Sequence, residues 1–238
     1  MPPFEREHEP QRDRRDMSPS DPLFVDTSRG RFAYRLRGDP AGQPVVMLHG
    51  WPESSYCWNG VAARLKTGLH VIAPDMRGLG DSNRDGDRAA YQKQALAADM
   101  IAVLDALGVR EFQLVGHDWG GPVAQEIALA MAPRVRRLVL MNSPVINNVN
   151  GNAEAMELIR ADDSRHYWYQ HFQQQRDLPE QMIRGREEEW LRYFLRTFRR
   201  DPLPEPVIQE YVRCYSIPGT AGTGANYYRT LRDVGVSI

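Results

Sequence analysis

With 238 residues, of which 30 are basic and 31 acidic, the chain is long enough for one sizeable core and close to neutral, which argues against nucleic acid or an anionic membrane surface as its partner. Hydrophobic residues at 42% and charged residues at 26% are ordinary globular values, and no stretch reaches the roughly 18–20 apolar residues that a membrane span needs. The two cysteines, Cys57 and Cys214, lie far apart without metal-ligand spacing, so reduced thiols, no metal and a cytoplasmic location are expected.

Residues 1–22 mix charges and prolines around no apolar segment and read as a disordered tail, not a signal peptide. From residue 23 onward, short apolar runs alternate with helical spacing. FAYRLRG (32–38) reads as a strand, and PVVMLHG (44–50) as a second with its face fully apolar. SSYCWNGVAARLKTG (54–68) has helical spacing that ends at Gly68, and HVIAPD (70–75) is a third strand. The clearest helix is YQKQALAADMIAVLDALGV (91–109), with Leu96, Met100, Val103, Leu104 and Leu107 on one face. EFQLVG (111–116) is a strand, GPVAQEIALAMAP (121–133) a helix and RRLVLMNSP (136–144) a strand. This order predicts an α/β fold, a mostly parallel sheet with helices on both faces, over residues 23–144.

After Pro144 the strand-like runs stop. Residues 145–232 are rich in Arg, Gln, Tyr and Trp and read as an inserted helical cap. Trp190, Leu191, Phe194, Leu195 and Phe198 form one stripe, and Val207, Ile208, Tyr211, Val212 and Tyr215 another. DVGVSI (233–238) reads as the start of a next core strand, with the last strands of the sheet missing.

The corner between strand 111–116 and its following helix carries the chemistry. It reads Gly116-His117-Asp118-Trp119-Gly120, an acid held between small residues on a strand-to-helix turn. A carboxylate there costs backbone strain and desolvation, which marks Asp118 as a nucleophile on an elbow. The helix N-terminus and the amide of Trp119 face charge developing beside it. The amide of Trp51, in the loop His49-Gly50-Trp51-Pro52, completes an oxyanion site. His49 and Pro52 shape that loop and, with Trp168, are expected to border an apolar pocket for a hydrophobic small molecule. Asp75, Arg77, Gly78, Gly80 and Ser82 lie on a turn where buried hydrogen bonding is the expected role.

HGWPES, PDMRGLGDS, GHDWGGPVA and LMNSP, in this order and spacing, resemble the alpha/beta-hydrolase superfamily and, within it, the soluble epoxide hydrolases, with haloalkane and haloacetate dehalogenases as relatives. The resemblance implies that Asp118 attacks an sp3 carbon to form an alkyl ester on the enzyme, which water then cleaves, giving a vicinal diol from an epoxide. It implies no cofactor and a monomer or homodimer. It also implies two cap tyrosines that donate protons to the leaving oxygen, for which Tyr228 and Tyr169 are the best matches. Tyr167 and Trp168 compete with Tyr169 because the register there is ambiguous. A carbon–halogen substrate, with Trp119 and Trp51 holding the halide, is the alternative.

The resembled family places a triad acid and a histidine after the cap. None of the six histidines follows His171, so both triad members are absent from this sequence. Three expectations follow. The sequence is a portion of a longer enzyme, or a shortened, non-catalytic ligand-binding homologue, or His166 or His171 substitutes from the cap.

Overall fold

The alternating apolar runs fold into one six-stranded sheet in the order β1-β2-β4-β3-β5-β6, built from β1 (Leu23–Thr27), β2 (Gly30–Gly38), β3 (Gln43–Leu48), β4 (Leu69–Pro74), β5 (Phe112–His117) and β6 (Val135–Met141). The structure is a computed structural model that describes residues 21–84, 87–146, 148–161, 167–197 and 201–232. Nearly all of the predicted tail, the 233–238 segment and His166 lie outside the described residues. β4, β3, β5 and β6 run parallel, while β1 and β2 form an antiparallel hairpin at one edge. Val45 to Leu48 of β3 are all buried, as a central strand covered on both faces requires.

The helices are α1 (Asn59–Ala62), α2 (Lys93–Ala106), α3 (Gly120–Ala130), α4 (Val149–Ala161), α5 (Trp168–Gln173), α6 (Leu178–Ile183), α7 (Glu187–Thr197), α8 (Glu205–Tyr215) and α9 (Thr220–Arg229). Leu96, Met100, Val103 and Leu104 of α2 pack into one cluster with Val123, Ala124 and Ile127 of α3. The same cluster continues through Trp51 and Trp119 to Tyr211, Tyr215, Tyr227 and Tyr228, so the helical segment shares its core with the sheet.

One expectation needs correction, and one strand went unread. The helix over 54–68 is a 3-10 turn (Ser55–Trp58) followed by the single turn α1, because Asn59, Gly60 and Val61 are poor helix residues. β1 has no counterpart in the sequence reading. It is a half-exposed edge strand without a clean apolar alternation.

The turn after β4 is a hydrogen-bonded hub, as its sequence suggested. Asp75 accepts from the amides of Ser55 (2.6 Å) and Asp81 (2.9 Å), and Ser82 Oγ donates to the Asp75 carbonyl (2.7 Å). Asp99, fully buried on α2, accepts from Arg77 Nε (2.6 Å) and Nη2 (2.8 Å) and from Arg29 Nε (2.6 Å). The helical segment clips onto the same turn. Tyr227 Oη donates to the Arg77 carbonyl (2.7 Å), Thr223 Oγ1 to that of Gly78 (2.7 Å), and Arg213 pairs with both oxygens of Asp81.

Candidate active site

The backbone of Asp118 is left-handed, with φ at 50°. An aspartate tolerates that region better than most residues, but the conformation still costs energy and persists only where neighbours impose it. Here the Asp118 amide donates to the Met141 carbonyl at the end of β6 (3.1 Å), and its own carbonyl accepts from the amide of Gly121 (2.9 Å). The glycines beside it are spacers: a Cβ on Gly120 would overlap the Leu48 carbonyl, one on Gly116 the Gly120 carbonyl, and one on Gly50 the Asp118 side chain itself. The β3 loop and the elbow therefore approach as closely as backbones can.

That approach brings the Trp51 amide to Asp118, where it donates to Oδ1 at 2.9 Å. The amide of Trp119, at the N-terminus of α3, also bonds the carboxylate. Burial pushes the Asp118 carboxyl above its ordinary value, while these two amides and the neighbouring His117 pull it down. Both predicted oxyanion donors are thus assembled on the predicted carboxylate.

The rings of the same two tryptophans frame the two predicted tyrosines. Trp51 stacks on Tyr169 (centroids 5.5 Å apart, 8° between planes) and meets Tyr228 edge-on at 5.3 Å. Trp119 meets Tyr228 edge-on at 5.5 Å, and the two tyrosine rings lie 5.7 Å apart. Burial, then the charge of Asp118, raises both phenols: Tyr169 to about 12, and Tyr228 well above its ordinary value. Both are therefore neutral O–H donors near neutral pH. The Tyr228 hydroxyl is buried without a hydrogen bond of normal geometry.

Other predicted residues fall elsewhere. His49 is fully buried. Its Nδ1 lies 2.8 Å from the Gly50 carbonyl and its Nε2 accepts from the Met76 amide (3.0 Å), so the ring braces the loop. Pro52 is half-buried, next to Trp51 across a cis bond. Trp168 is 37% exposed and lines an outer groove of about 380 Å³ with Met182, Trp190 and Tyr193. Phe194 separates it from Trp51, with centroids 6.1 Å from Trp168 and 5.0 Å from Trp51. Tyr167, the competing residue, is 37% exposed.

The sequence reading gave neither Glu53 nor His117 a role. His117 Nδ1 lies 3.3 Å from Glu53 Oε2, and Glu53 raises the imidazole above its ordinary value. The pair acts on Asp118 in opposite directions, His117 drawing its carboxyl down and Glu53 raising it. The acid of HGWPES was the available signal, but only the fold shows that it meets His117.

Residues 43–229 match the alpha/beta hydrolase fold family, and the chain belongs to it. Among individual relatives, the soluble epoxide hydrolase of Corynebacterium sp. (strain C12) is 33% identical over 194 residues, which are 80% of this chain and 66% of that protein. Epoxide hydrolase A of Mycobacterium tuberculosis is 36% identical over 124 residues, 52% of this chain and 38% of that one. The solved structure of the epoxide hydrolase CorEH superimposes with a TM-score of 0.67 at 29% identity, covering 90% of this chain and 74% of that one. The chain thus spans less than two thirds of the length of the curated relatives it matches.

Proposed function

We propose that this chain carries the alkylating half of an epoxide hydrolase, with Asp118 as nucleophile. The observation that supports this most directly is the pairing of a carboxylate with two neutral phenols, the partly buried Tyr169 and the buried Tyr228, that both sense its charge. The names of the relatives point the same way. In the proposed step an Asp118 oxygen forms a bond to a ring carbon as the ring C–O bond breaks. The released electron pair stays on the ring oxygen, which takes a proton from a tyrosine hydroxyl, and the tyrosine regains one from solvent. The product is a hydroxyalkyl ester on Asp118. A halide leaves as a stable anion and needs no proton, so the two phenols favour an epoxide over a carbon–halogen substrate.

For hydrolysis of the ester, the amides of Trp51 and Trp119 would steady the oxyanion that forms when water attacks the Asp118 carbonyl carbon. His117 has its Nδ1 engaged by Glu53, so the ester is expected to persist in the 238-residue chain. The substrate is a hydrophobic small molecule, and the chain acts as a monomer or homodimer without cofactor or metal. Among the described residues no helix is long and apolar enough to cross a membrane, and Cys57 and Cys214 are both free, which supports a cytoplasmic location.

Incubation of the 238-residue chain with styrene oxide, followed by intact mass measurement, tests the reading. A gain of one epoxide mass, mapped to Asp118 by peptide sequencing and missing in Asp118→Asn, is expected. Saturable binding with no mass gain would overturn it in favour of a ligand-binding homologue.

A further inference from the structure

Helix α7 faces two ways. Its acidic first turn, Glu187 to Glu189, suits the positive end of a helix. Further along, Leu191 and Phe194 are buried, at 0% and 4% exposure, while Tyr193 remains 42% exposed. Trp190 and Phe194, four residues apart, pack ring against ring at 4.9 Å. Phe194 therefore stands directly behind the outer groove. Its ring also meets Trp168 and Tyr193, two more of the groove's walls, each at 6.1 Å.

On its other side Phe194 meets the candidate site. It lies edge-on to Trp51 (5.0 Å, 88°) and to Tyr169 (5.1 Å, 87°), across the seam of that stacked pair. The other inner walls are deeper. Trp51 is backed by Tyr215 and Tyr228 by Trp119, and all four are at most 9% exposed. Asp118 and Tyr169, by contrast, keep part of their surface accessible. The site is thus open on the side of Asp118 and Tyr169 and closed on the side of Phe194, Trp51 and Tyr228. At Phe194 the closed side is a single ring thick, with the groove of about 380 Å³ beyond it.

We propose, resting on the epoxide reading above, that Phe194 sets the size limit of the substrate by closing the inner end of the site. Alkylation is thereby restricted to epoxides with a compact substituent. A substrate that enters from the open side, with its reacting carbon at Asp118 and its oxygen at the two tyrosines, directs its substituent inward. A long substituent then runs into the Phe194 ring. Aromatic neighbours hold that ring from both sides, and a packed interior yields only by small shifts. A shorter side chain at position 194 would join site and groove into one channel.

The test measures the rate of Asp118 ester formation by intact mass with styrene oxide and with 4-phenylstyrene oxide, which extends the same epoxide by a second ring in line. Each rate is divided by the probe's own rate of hydrolysis in buffer. The wild-type chain should prefer styrene oxide by at least about tenfold, the discrimination that a close-fitting apolar wall gives. Phe194→Ala should bring that preference to about one or reverse it. Phe194→Leu, which keeps an apolar side chain of smaller reach, should lower it part of the way. A purely structural role would slow both probes together and leave the preference unmoved. A wild-type preference below about twofold overturns the size limit whether or not either variant folds. A folded Phe194→Ala that keeps the wild-type preference overturns it too. If styrene oxide adds no mass to Asp118 in the wild-type chain, the epoxide reading itself fails and the size limit falls with it, an outcome distinct from equal modification by both probes.

Discussion

At Asp118 two costs coincide, a left-handed backbone and a carboxylate pushed above its ordinary value by burial. The consequence for stability has a definite sign. Between the ordinary carboxylate value of 3.8 and the raised native value, the folded chain holds a proton that the unfolded chain has lost. Stability contributed at this site therefore falls as pH rises through that window and stays low above it. Asp118→Asn removes the charge, still accepts from the Trp51 amide, and tolerates the left-handed region as well as aspartate does. Thermal melts should show Asp118→Asn a few degrees more stable at neutral pH, with the gap closing as pH falls below the ordinary carboxylate value. A variant that melts at or below wild type at neutral pH would mean that the two amides and His117 outweigh the burial cost. The opposite sign holds at His117, whose imidazole is raised by Glu53. That pair contributes fully below the unfolded imidazole value and loses its contribution as pH climbs through the native one.

Among the elements, what local pattern could announce was readable. β3 is an uninterrupted apolar run and α2 carries a stripe at helical spacing, and both stand where the sequence placed them. The elbow was legible because its glycines report a backbone need: Gly120 separates α3 from β3 and leaves no room for a methyl group. What stayed hidden depends on partners far away in the chain. Asp99 sits on α2 among apolar neighbours, and only the fold supplies Arg77 and Arg29. Gly68 offers a contrast with Gly120, since its φ of 83° is left-handed but nothing lies where its Cβ would be. Gly68→Ala should cost about 1 kcal/mol, the backbone penalty alone. Gly120→Ala adds overpacking against backbone atoms that cannot move aside, and should cost about 1–3 kcal/mol and slow Asp118 alkylation as well. Urea midpoints at unchanged m-value measure the difference. Equal midpoints for the two variants would show that β3 and α3 slide apart freely.

Across the described residues the two edges of the sheet are treated differently. β1 is short, and Arg31 lies over the Phe24 ring at 4.4 Å. β6, on the far side, pairs only with β5 among the described residues, and Leu138, Val139 and Met141 are 38%, 50% and 44% exposed. Its charges, Arg136 and Arg137, stand at the start of the strand, and Arg136 is turned toward Glu111. The second half, LVLM, thus presents apolar side chains beside a backbone edge that no described strand covers, the combination that invites pairing between sheet edges. The same strand supports the elbow, because the Met141 carbonyl holds the Asp118 amide. Self-association through β6 should then be separable from chemistry at Asp118, since β6 meets the elbow through its end and the pairing edge runs along its length. Val139→Lys places a charge on that edge at a half-exposed position, where substitutions usually change stability by no more than about 0.5 kcal/mol. Light scattering coupled to size exclusion should show the wild-type 238-residue chain forming dimers or larger species as concentration rises, and the lysine variant shifting toward monomer with its Asp118 alkylation rate intact. If both elute as monomers over the same range, the β6 edge does not recruit a second copy. If the lysine variant loses alkylation while remaining folded, β6 positions the elbow along its whole length, and edge and site form one mechanical unit.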